Sequence, residues 1–396
     1  MSDTAAHDRW GVPPWSIDFH PPQTALPDAV DVAIVGAGFS GLSAAAWLRF
    51  VSPETAVAVF EDSHIGAGAS GRTGGLALAE SAAGDLPGLE DVLGGVSNIL
   101  QKLQVDCDLQ LPGAWELGRG GKPFGESSGV PVDNSPIHWS DSGALRAVNK
   151  VPGGSVDPGK LVSGLGRAAH RLGAAIFERH PVSAIAWGPQ PMLEFASGSV
   201  RAKKVLIATS ALSTELSGLA QRVQPRLTLA VRTSPSSDEE LAALGLDDRK
   251  PFYTIDLPYL WGRLCPDKSI VWGAGLVSPP ESGDLRDIDI GASDASRMFV
   301  SLERRVRGLH PVLAGAEFTH RWGGPISFRE SWSPAFGFHP RSDNGIVMGA
   351  YAGHGVALSV YLGTWAAEAA LGRRELPEWG KLEVPAQDAG ARQHAK

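Results

Sequence analysis

The stretch that decides the fold is DVAIVGAGFSG, residues 31–41, in which a short apolar run leads directly into a glycine turn. The residues that follow, 41–50 (GLSAAAWLRF), have the small, helix-compatible side chains of an opening helix. A second apolar run, AVAVF at residues 56–60, ends at Glu61. This order predicts a strand, a tight turn, a helix and a second strand, which together form a βαβ unit.

The glycines of the turn, Gly36, Gly38 and Gly41, have the GxGxxG spacing of a dinucleotide-binding loop. The first allows the tight turn, the second lets the backbone approach a pyrophosphate, and the third permits close packing of helix on strand. The helix start favours the pyrophosphate through its unpaired N–H groups and its dipole. Glu61 lies 20 residues after Gly41, where its carboxylate can accept hydrogen bonds from the adenosine ribose. The predicted loop site comprises Gly36, Gly38, Phe39, Ser40, Gly41, Glu61 and Asp62.

The composition indicates a globular chain of two to three folding units. Its 396 residues are 43% hydrophobic and 20% charged, which is enough apolar material for more than one core. A net charge of −8, without a run of lysine or arginine, excludes a general nucleic-acid binder, which needs a basic face. The two cysteines, Cys107 and Cys265, are too few for a disulfide framework, and the eleven histidines lack metal-binding spacing, so no metal is predicted.

The first 27 residues contain five prolines and two tryptophans, Trp10 and Trp15. Because proline interrupts helices and central strands, this arm is predicted to lie extended over the surface, pinned by its tryptophans. It lacks the basic segment and apolar run of a secretion signal, and no stretch of the chain approaches the ~18–20 apolar residues of a transmembrane helix. We therefore expect a cytoplasmic protein that does not span a membrane.

The remaining segments predict a second sheet and then a return to the first. Helical patterns occur at residues 86–105 and 158–173, and residues 192–208 indicate two strands around a turn. Residues 216–335 carry alternating strands that favour an antiparallel sheet, and residues 344–372 predict a strand, a glycine turn and a long helix. The predicted fold class is α/β, with a discontinuous Rossmann-type domain and a second domain on a mixed, largely antiparallel sheet.

Three further segments carry a family resemblance: GAGASGRTGG at residues 66–75, KKVLIATSA at 203–211 and AYAGHGVA at 350–357. In their order and spacing, from about Trp10 to about Gly372, the chain resembles the D-amino-acid oxidase superfamily of flavoproteins. It is most similar to the gamma-glutamylputrescine oxidase-like and glycine oxidase-like members. The resemblance implies FAD as the cofactor and oxidation of a C–N bond. A hydride passes from the carbon next to an amine nitrogen to flavin N5, and the resulting imine hydrolyses.

The resemblance also implies cofactor contacts in four places. Beside the flavin and its pyrophosphate they are Ala69, Ser70, Gly71 and Arg72, and at the adenine end the contact is the backbone of Val182. The second nucleotide turn is Ala208, Thr209 and Ser210, with serine where glycine is usual. The N–H donors at the flavin pyrimidine carbonyl, where reduction builds negative charge, come from Gly353, His354, Gly355, Val356 and Ala357. For His354 the alternative is a helix-start residue held by local hydrogen bonds.

The expected domains follow from this assignment. The FAD-binding domain comprises residues 28–82, 155–215 and 340–375, and the substrate domain comprises residues 83–154 and 216–339. An N-terminal arm (1–27) and a polar, loose C-terminal tail (376–396) flank them.

The predicted FAD is non-covalent. Sarcosine oxidase-like relatives carry the attaching cysteine where this chain has Phe328, and His64 precedes the glycine stretch instead of ending it. The same relatives clamp a carboxylate with arginine and lysine, whereas this chain offers Leu76, Leu78 and Ala357 in those regions. A simple α-amino acid thus loses its usual anchors. The predicted partners are a small-molecule amine and oxygen or another electron acceptor.

Candidate substrate contacts come from the predicted strand 259–264. Its alternation places Tyr259, Trp261 and Arg263 on one face, giving two aromatic walls and a cationic end if that face meets the flavin; the alternative is a packed or solvent-facing strand. Trp322 and Trp332 could form a cation–π cage for an amine, or simply pack. Two other functions stay open. One is a flavin dehydrogenase of a hydroxy acid or polyol phosphate, which needs a basic pocket, and the other is a non-catalytic flavin-binding subunit that docks by its N-terminal arm.

Overall fold

The computed structural model describes residues 9–120, 128–281 and 283–382. In chain order the strands are β1 (Ala29–Val35), β2 (Val57–Phe60), β3 (Leu76–Leu78), β4 (Ala114–Gly118), β5 (Trp139–Ser140), β6 (Ala144–Val151), β7 (Gly153–Ser155), β8 (Ala175–Phe177), β9 (Ala184–Ala186), β10 (Met192–Phe195), β11 (Gly198–Ile207), β12 (Gln224–Thr233), β13 (Phe252–Thr254), β14 (Trp261–Leu264), β15 (Ile270–Val277), β16 (Phe318–Phe328), β17 (Ala335–His339) and β18 (Ser342–Gly349). The helices are α1 (Phe39–Val51), α2 (Val92–Lys102), α3 (Pro158–Arg171), α4 (Thr214–Ser217), α5 (Asp238–Leu244), α6 (Ser293–Leu309) and α7 (Gly355–Ala370).

The first sheet contains the predicted βαβ unit at its centre. Its strand order is β17–β18–β11–β1–β2–β8, and the five strands from β18 to β8 are parallel. An antiparallel pair, β10 and β9, extends it from β11. All four residues of β2 are buried, as are the last four of β1, because helices α1, α3 and α7 cover one face and a second apolar cluster covers the other.

The second sheet has the order β16–β12–β15–β14–β13–β4–β6–β5 and is antiparallel except between β13 and β4. Trp261, Tyr253, Glu116 and Asn149 are register partners on β14, β13, β4 and β6, so they form one row across four strands. Helix α6 packs on the opposite face, in a core that includes the fully buried Trp272. The row is therefore on the face that is not covered by α6.

The N-terminal arm joins the two sheets. Trp10 is fully buried in the core of the second sheet, and its Nε1 donates to the Leu285 carbonyl at 3.2 Å. Trp15 Nε1 donates to the Gly71 carbonyl at 2.6 Å, and Phe19 packs against the core of the first sheet. The predicted pinning by tryptophans is confirmed for residues 9–27. Apart from Trp10, which completes a core, residues 9–27 are exposed or half-buried, so this part of the arm lies on the surface as predicted.

The α/β fold class with two sheets is confirmed, but three predicted ranges differ. Strand β17 belongs to the first sheet, because a two-residue turn makes it a hairpin with β18. Helix α2 packs against α7 in the first core, where its apolar face is covered. The tail is packed as far as it is described, since Trp379 stacks on Phe336 with ring centroids 6.1 Å apart. The other domain boundaries stay predictions.

Candidate active site

Close backbone contacts shape the glycine turn between β1 and α1. Gly36 has a φ of +103°, a left-handed conformation that favours glycine, and a Cβ there would lie 2.7 Å from the Ala208 carbonyl oxygen. A Cβ on Gly41 would overlap the Gly36 carbonyl oxygen. Gly38 has an ordinary φ of −88°, but its Cβ would lie 2.7 Å from Ser70 Oγ. The turn thus depends on bare backbone at all three positions.

Glu61 fixes the turn from the end of β2. Its Oε2 accepts a hydrogen bond from the Ala37 N–H at 2.8 Å, and its Oε1 accepts one from the Ser63 N–H at 3.2 Å. These bonds use only part of the acceptor capacity of a carboxylate, which leaves room for a ribose hydroxyl. Burial raises the pKa of the Glu61 carboxyl, and the neighbouring Asp62 raises it further. Asp62 Oδ2 lies 2.8 Å from Arg286 Nη2. No sequence pattern had indicated Arg286.

Two connected cavities lie beyond this turn. The smaller, of about 220 Å³, is lined by Gly36 and Glu61, and the larger, of about 1480 Å³, lies between the glycine stretch and the second sheet. Gly38, Ser70 and Ser210 line both, so the cavities meet at these residues. The pair forms an elongated space that could hold a dinucleotide with one end against each domain.

Donors and backbone shape in the smaller cavity suit such a ligand. Thr209 Oγ1 is buried there without a hydrogen-bond partner among the described residues. Ser70 Oγ accepts the Phe39 N–H at 2.8 Å and so caps α1 in place of a side chain at Gly38. Ser210 has a φ of +52° and therefore keeps the left-handed turn that a glycine would favour. The serine does not alter the shape of this turn.

Most predicted cofactor residues line these cavities. The smaller is lined by Gly36, Gly38, Glu61, Asp62, Ala69, Ser70, Val182, Ala208, Thr209 and Ser210, and the larger by Gly38, Phe39, Ser40, Ala69, Ser70, Arg72, Ala208, Ser210, Gly353, His354, Gly355 and Val356. Three predicted residues line neither. Gly41 packs on Gly36, Gly71 lies against the Gly66 carbonyl, and Ala357 is buried in the core of the first sheet. These three support the backbone and the helix packing instead of the cavity wall.

Arg72 lines the larger cavity, but its guanidinium bonds to the protein. Nε donates to the Ala67 carbonyl at 3.2 Å, and Nη1 donates to the carbonyls of Gly11 and Gly323 at 2.8 and 3.1 Å. Arg72 therefore ties the glycine stretch to the N-terminal arm and to β16. Arg72 thus fixes the shape of the glycine stretch from within it.

The larger cavity has an acidic wall that no sequence motif indicated. The Tyr253 hydroxyl lies 2.8 Å from Glu80 Oε1 and 3.0 Å from Glu116 Oε1, so its one proton can serve only one carboxylate at a time. Asn149 Nδ2 donates to Glu116 Oε2 at 3.0 Å. Burial raises the pKa of Glu80 and lowers the pKa of His354, which lines the same cavity and is neutral at pH 7. We call Glu80, Tyr253 and Glu116 the acidic wall.

The predicted aromatic contacts divide between cavity and core. Trp261 lines the larger cavity from the row across the sheet, and Tyr259 lines it from the loop before β14 instead of from the strand. Trp322 reaches the cavity but is fully buried, and its Nε1 donates to the Arg72 carbonyl at 2.9 Å. Trp332 lines the cavity with nearly half of its side chain exposed.

Arg263 lines neither cavity, which corrects its predicted place at the cationic end of the pocket. It is buried, its Nε donates to the Gly74 carbonyl, and its guanidinium lies 5.7 Å from the centroid of the Trp15 ring. The strand does alternate as predicted, but the glycine stretch covers Arg263 and separates it from the cavity. Arg263 thus supports the glycine stretch from beneath.

A family model described as FAD dependent oxidoreductase matches residues 31–369, most of the chain. The chain belongs to this family. The gamma-glutamylputrescine oxidoreductase of Escherichia coli is 28% identical over 386 residues, covering 87% of this chain and 84% of the relative. Glycine oxidase from Geobacillus kaustophilus superposes with a TM-score of 0.66 at 20% identity, covering 88% of this chain and 96% of that structure. L-Amino acid deaminase from Proteus myxofaciens superposes with a TM-score of 0.70 at 15% identity, covering 91% and 94%.

Membership confirms three predictions: the family resemblance, the FAD dependence and the classification as an oxidoreductase enzyme. The similarity to the solved structures supports the fold. No helix within residues 9–120, 128–281 and 283–382 has the length and apolar character needed to cross a membrane.

Proposed function

We propose that this FAD-dependent oxidoreductase oxidises the C–N bond of a small cationic amine. The observation that carries the substrate class is the acidic wall, two carboxylates that share one tyrosine proton on the surface of the larger cavity. An ammonium group offers up to three N–H donors, and charge-assisted bonds to carboxylates are the strong ones. The Escherichia coli relative, named for a putrescine derivative, supports the same class.

We also propose that FAD is held non-covalently across both cavities. The buried Thr209 Oγ1 and the bare backbone at Gly38 fit the adenosine diphosphate part in the smaller cavity. Phe328 lines the larger cavity where a covalent relative has cysteine, and Cys107 and Cys265 are buried and line neither cavity. Acid precipitation should therefore release all of the flavin into the supernatant. Flavin colour that remains with the protein pellet would contradict this.

The chain's own residues then bind and orient the amine. Bound FAD supplies the hydride acceptor, flavin N5. The acidic wall binds the ammonium, and Glu80 Oε1, on a carboxyl whose pKa is raised, accepts the proton that the amine must lose before oxidation. Trp261 and Tyr259 exclude water beside it. The backbone N–H groups at the start of α7, which lines the cavity, would stabilise the negative charge of a reduced flavin held there.

The same wall disfavours the two other functions. A hydroxy acid or polyol phosphate is an anion and needs cations. Arg263 lies outside the cavity, whereas Arg72 and Arg305 line it but donate to carbonyls of the protein, and Arg305 also pairs with Asp141. A flavin-binding subunit without turnover needs no polar wall beside the flavin, but the acidic wall lines the same cavity as the proposed flavin contacts Gly353 and His354. Within residues 9–27, Trp10 and Trp15 bond to the protein's own carbonyls, so these two side chains are not available for docking.

Anaerobic addition of amines to the yellow protein tests the proposal. Diamines, N-methylamines and amino acids form the panel, and at least one amine should bleach the flavin absorbance. Glu116→Gln should raise the half-saturating concentration of that amine roughly ten- to a hundredfold, since a hydrogen bond to a charged group contributes about 1.5–3 kcal/mol. Glu194→Gln, on an exposed glutamate of β10, is the control and should change nothing. The proposal fails if no amine bleaches the flavin or if only hydroxy acids do.

A further inference from the structure

The mouth of the larger cavity has an apolar edge. Pairing between β14 and β15 ends at Trp261 and Gly273, so the last residues of β15 run beside the loop 255–260 without partners on β14. We call the side chains that line the cavity at this edge the apolar lip: Leu257 and Pro258 of the loop, Leu276 of β15, and Met298 of α6. Leu257 is 69% exposed and Leu276 is 50% exposed. A Cβ on the neighbouring Gly275 would lie 3.1 Å from Met298 Cε, so α6 and β15 form one surface here.

Two arginines, each paired with Asp141, hold the loop of the apolar lip by hydrogen bonds to its backbone carbonyls. Arg119 donates from Nη2 to the Pro258 carbonyl at 2.9 Å. Arg305 donates to the carbonyls of Tyr259 and Pro258 at 2.8 and 2.7 Å, and both arginines pair with the buried Asp141. These bonds fix the backbone without any contribution from the Leu257 side chain. Leu257 is therefore an exposed apolar group on a fixed support, which is what a binding surface requires.

The position of the apolar lip indicates what it contacts. Single exposed leucines are common on protein surfaces, but apolar side chains that continue a functional cavity mark a ligand site. Arg305 also lines the cavity here, but its guanidinium donates to the Tyr259 and Pro258 carbonyls and pairs with Asp141. The cavity thus offers carboxylates on one wall and hydrocarbon at the mouth.

We infer that the substrate amine carries an alkyl or aryl group, which packs on the apolar lip while its ammonium binds the acidic wall. This inference rests on the proposed amine oxidation and narrows it to a substrate class. Burying hydrocarbon against Leu257, Leu276 and Met298 favours long over short amines, because the gain grows with the apolar area removed from water. A short or fully polar amine would leave the apolar lip in water.

A series of n-alkylamines from propylamine to decylamine tests the inference on the FAD-loaded enzyme. Dissociation constants come from the change in flavin absorbance of the oxidised enzyme, and turnover comes from anaerobic bleaching. Binding should tighten about two- to fourfold for each methylene that reaches the apolar lip. Leu257→Asn and Leu276→Asn, which keep the side-chain size, should flatten this dependence for the long amines and leave propylamine unchanged. Leu111→Asn, on an exposed leucine that lines neither cavity, is the matched control.

The outcomes separate the inference from the proposed function. If amines bleach the flavin but chain length has no effect on binding, the inference is overturned and amine oxidation stands. The same holds if both asparagine variants keep the slope of the parent enzyme. If no amine binds or bleaches the flavin, both are overturned. Flavin content and melting temperature of each variant show that the fold is intact, so an altered slope reports on the apolar lip.

Discussion

Replacing Gly38 with alanine tests the glycine turn at a position that lines both cavities. The φ of −88° suits any residue, so backbone strain plays no part. The new Cβ would lie 2.7 Å from Ser70 Oγ, well inside the 3.4 Å at which ordinary contact begins. If Ser70 rotates away, the Phe39 N–H loses its hydrogen bond to Ser70 Oγ, which destabilises the helix start by about 1 kcal/mol. The new methyl group also still occupies space that the pyrophosphate needs. Overpacking of this kind costs about 1–3 kcal/mol, so the dissociation constant of FAD should rise roughly five- to a hundredfold.

The ratio of flavin to protein absorbance, followed by titration of the apoprotein with FAD, measures this effect. Gly188→Ala, where a Cβ would meet nothing within 4 Å, is the control for the loss of a glycine. Combining Gly38→Ala with Ser70→Ala removes the clash inside the protein, because the remaining approach to Ser70 Cβ is 3.6 Å. The double variant should still bind FAD weakly. If it regains FAD at the affinity of Ser70→Ala alone, the obstruction was only between side chains and the role of bare backbone at the pyrophosphate is refuted.

Three further changes test the cofactor site, the acidic wall and the arm. Glu61→Ala removes the proposed ribose hydrogen bonds and the bonds to the Ala37 and Ser63 N–H groups, but it keeps the three glycines of the turn. The protein should therefore purify partly loaded and regain full colour in excess FAD; a colourless protein that FAD cannot restore would contradict this. Burial raises the pKa of Glu80, and below that pKa the carboxyl is neutral. An alkylamine stays cationic up to about pH 10, so its binding should strengthen as the pH rises through the pKa of Glu80. Glu80→Gln should abolish this dependence of amine binding on pH. An unchanged dependence would show that another group causes it. Trp10→Ala should lower the free energy of unfolding by about 3–5 kcal/mol, whereas Phe338→Ala, on a half-exposed side chain, should change it by less than about 1 kcal/mol in the same thermal melt.

The cofactor half of the site could be predicted because its signals are local. The spacing of Gly36, Gly38 and Gly41 determines a turn, and Glu61 follows at the end of the next strand, so a single βαβ unit contains the whole pattern. The predicted starts and ends of these elements lie within a few residues of the observed ones. Gly71 and Ala357 differ because a family contact is made by a segment, and only some residues of that segment line the cavity.

The substrate half could not be predicted in the same way, because its residues meet only through sheet pairing. Tyr253 and Glu116 are 137 residues apart and become neighbours because β4 pairs in parallel with β13. The available signal was a glutamate inside the apolar strand AWELG, a buried charge that requires a partner. For Arg263 the alternation of the strand was correct, but alternation cannot reveal that the glycine stretch covers this face.

The burial of Trp10 has a consequence for the order of events during protein synthesis. Its hydrogen-bond acceptor, the Leu285 carbonyl, follows 275 residues later, and the Gly323 N–H that donates to the Trp10 carbonyl at 2.7 Å is later still. At 5–20 residues per second a ribosome needs roughly 15–55 s to reach that acceptor. The segment around Trp10 is therefore among the last to pack, although it is made long before its partners, and the second core closes only after Gly323 has been made.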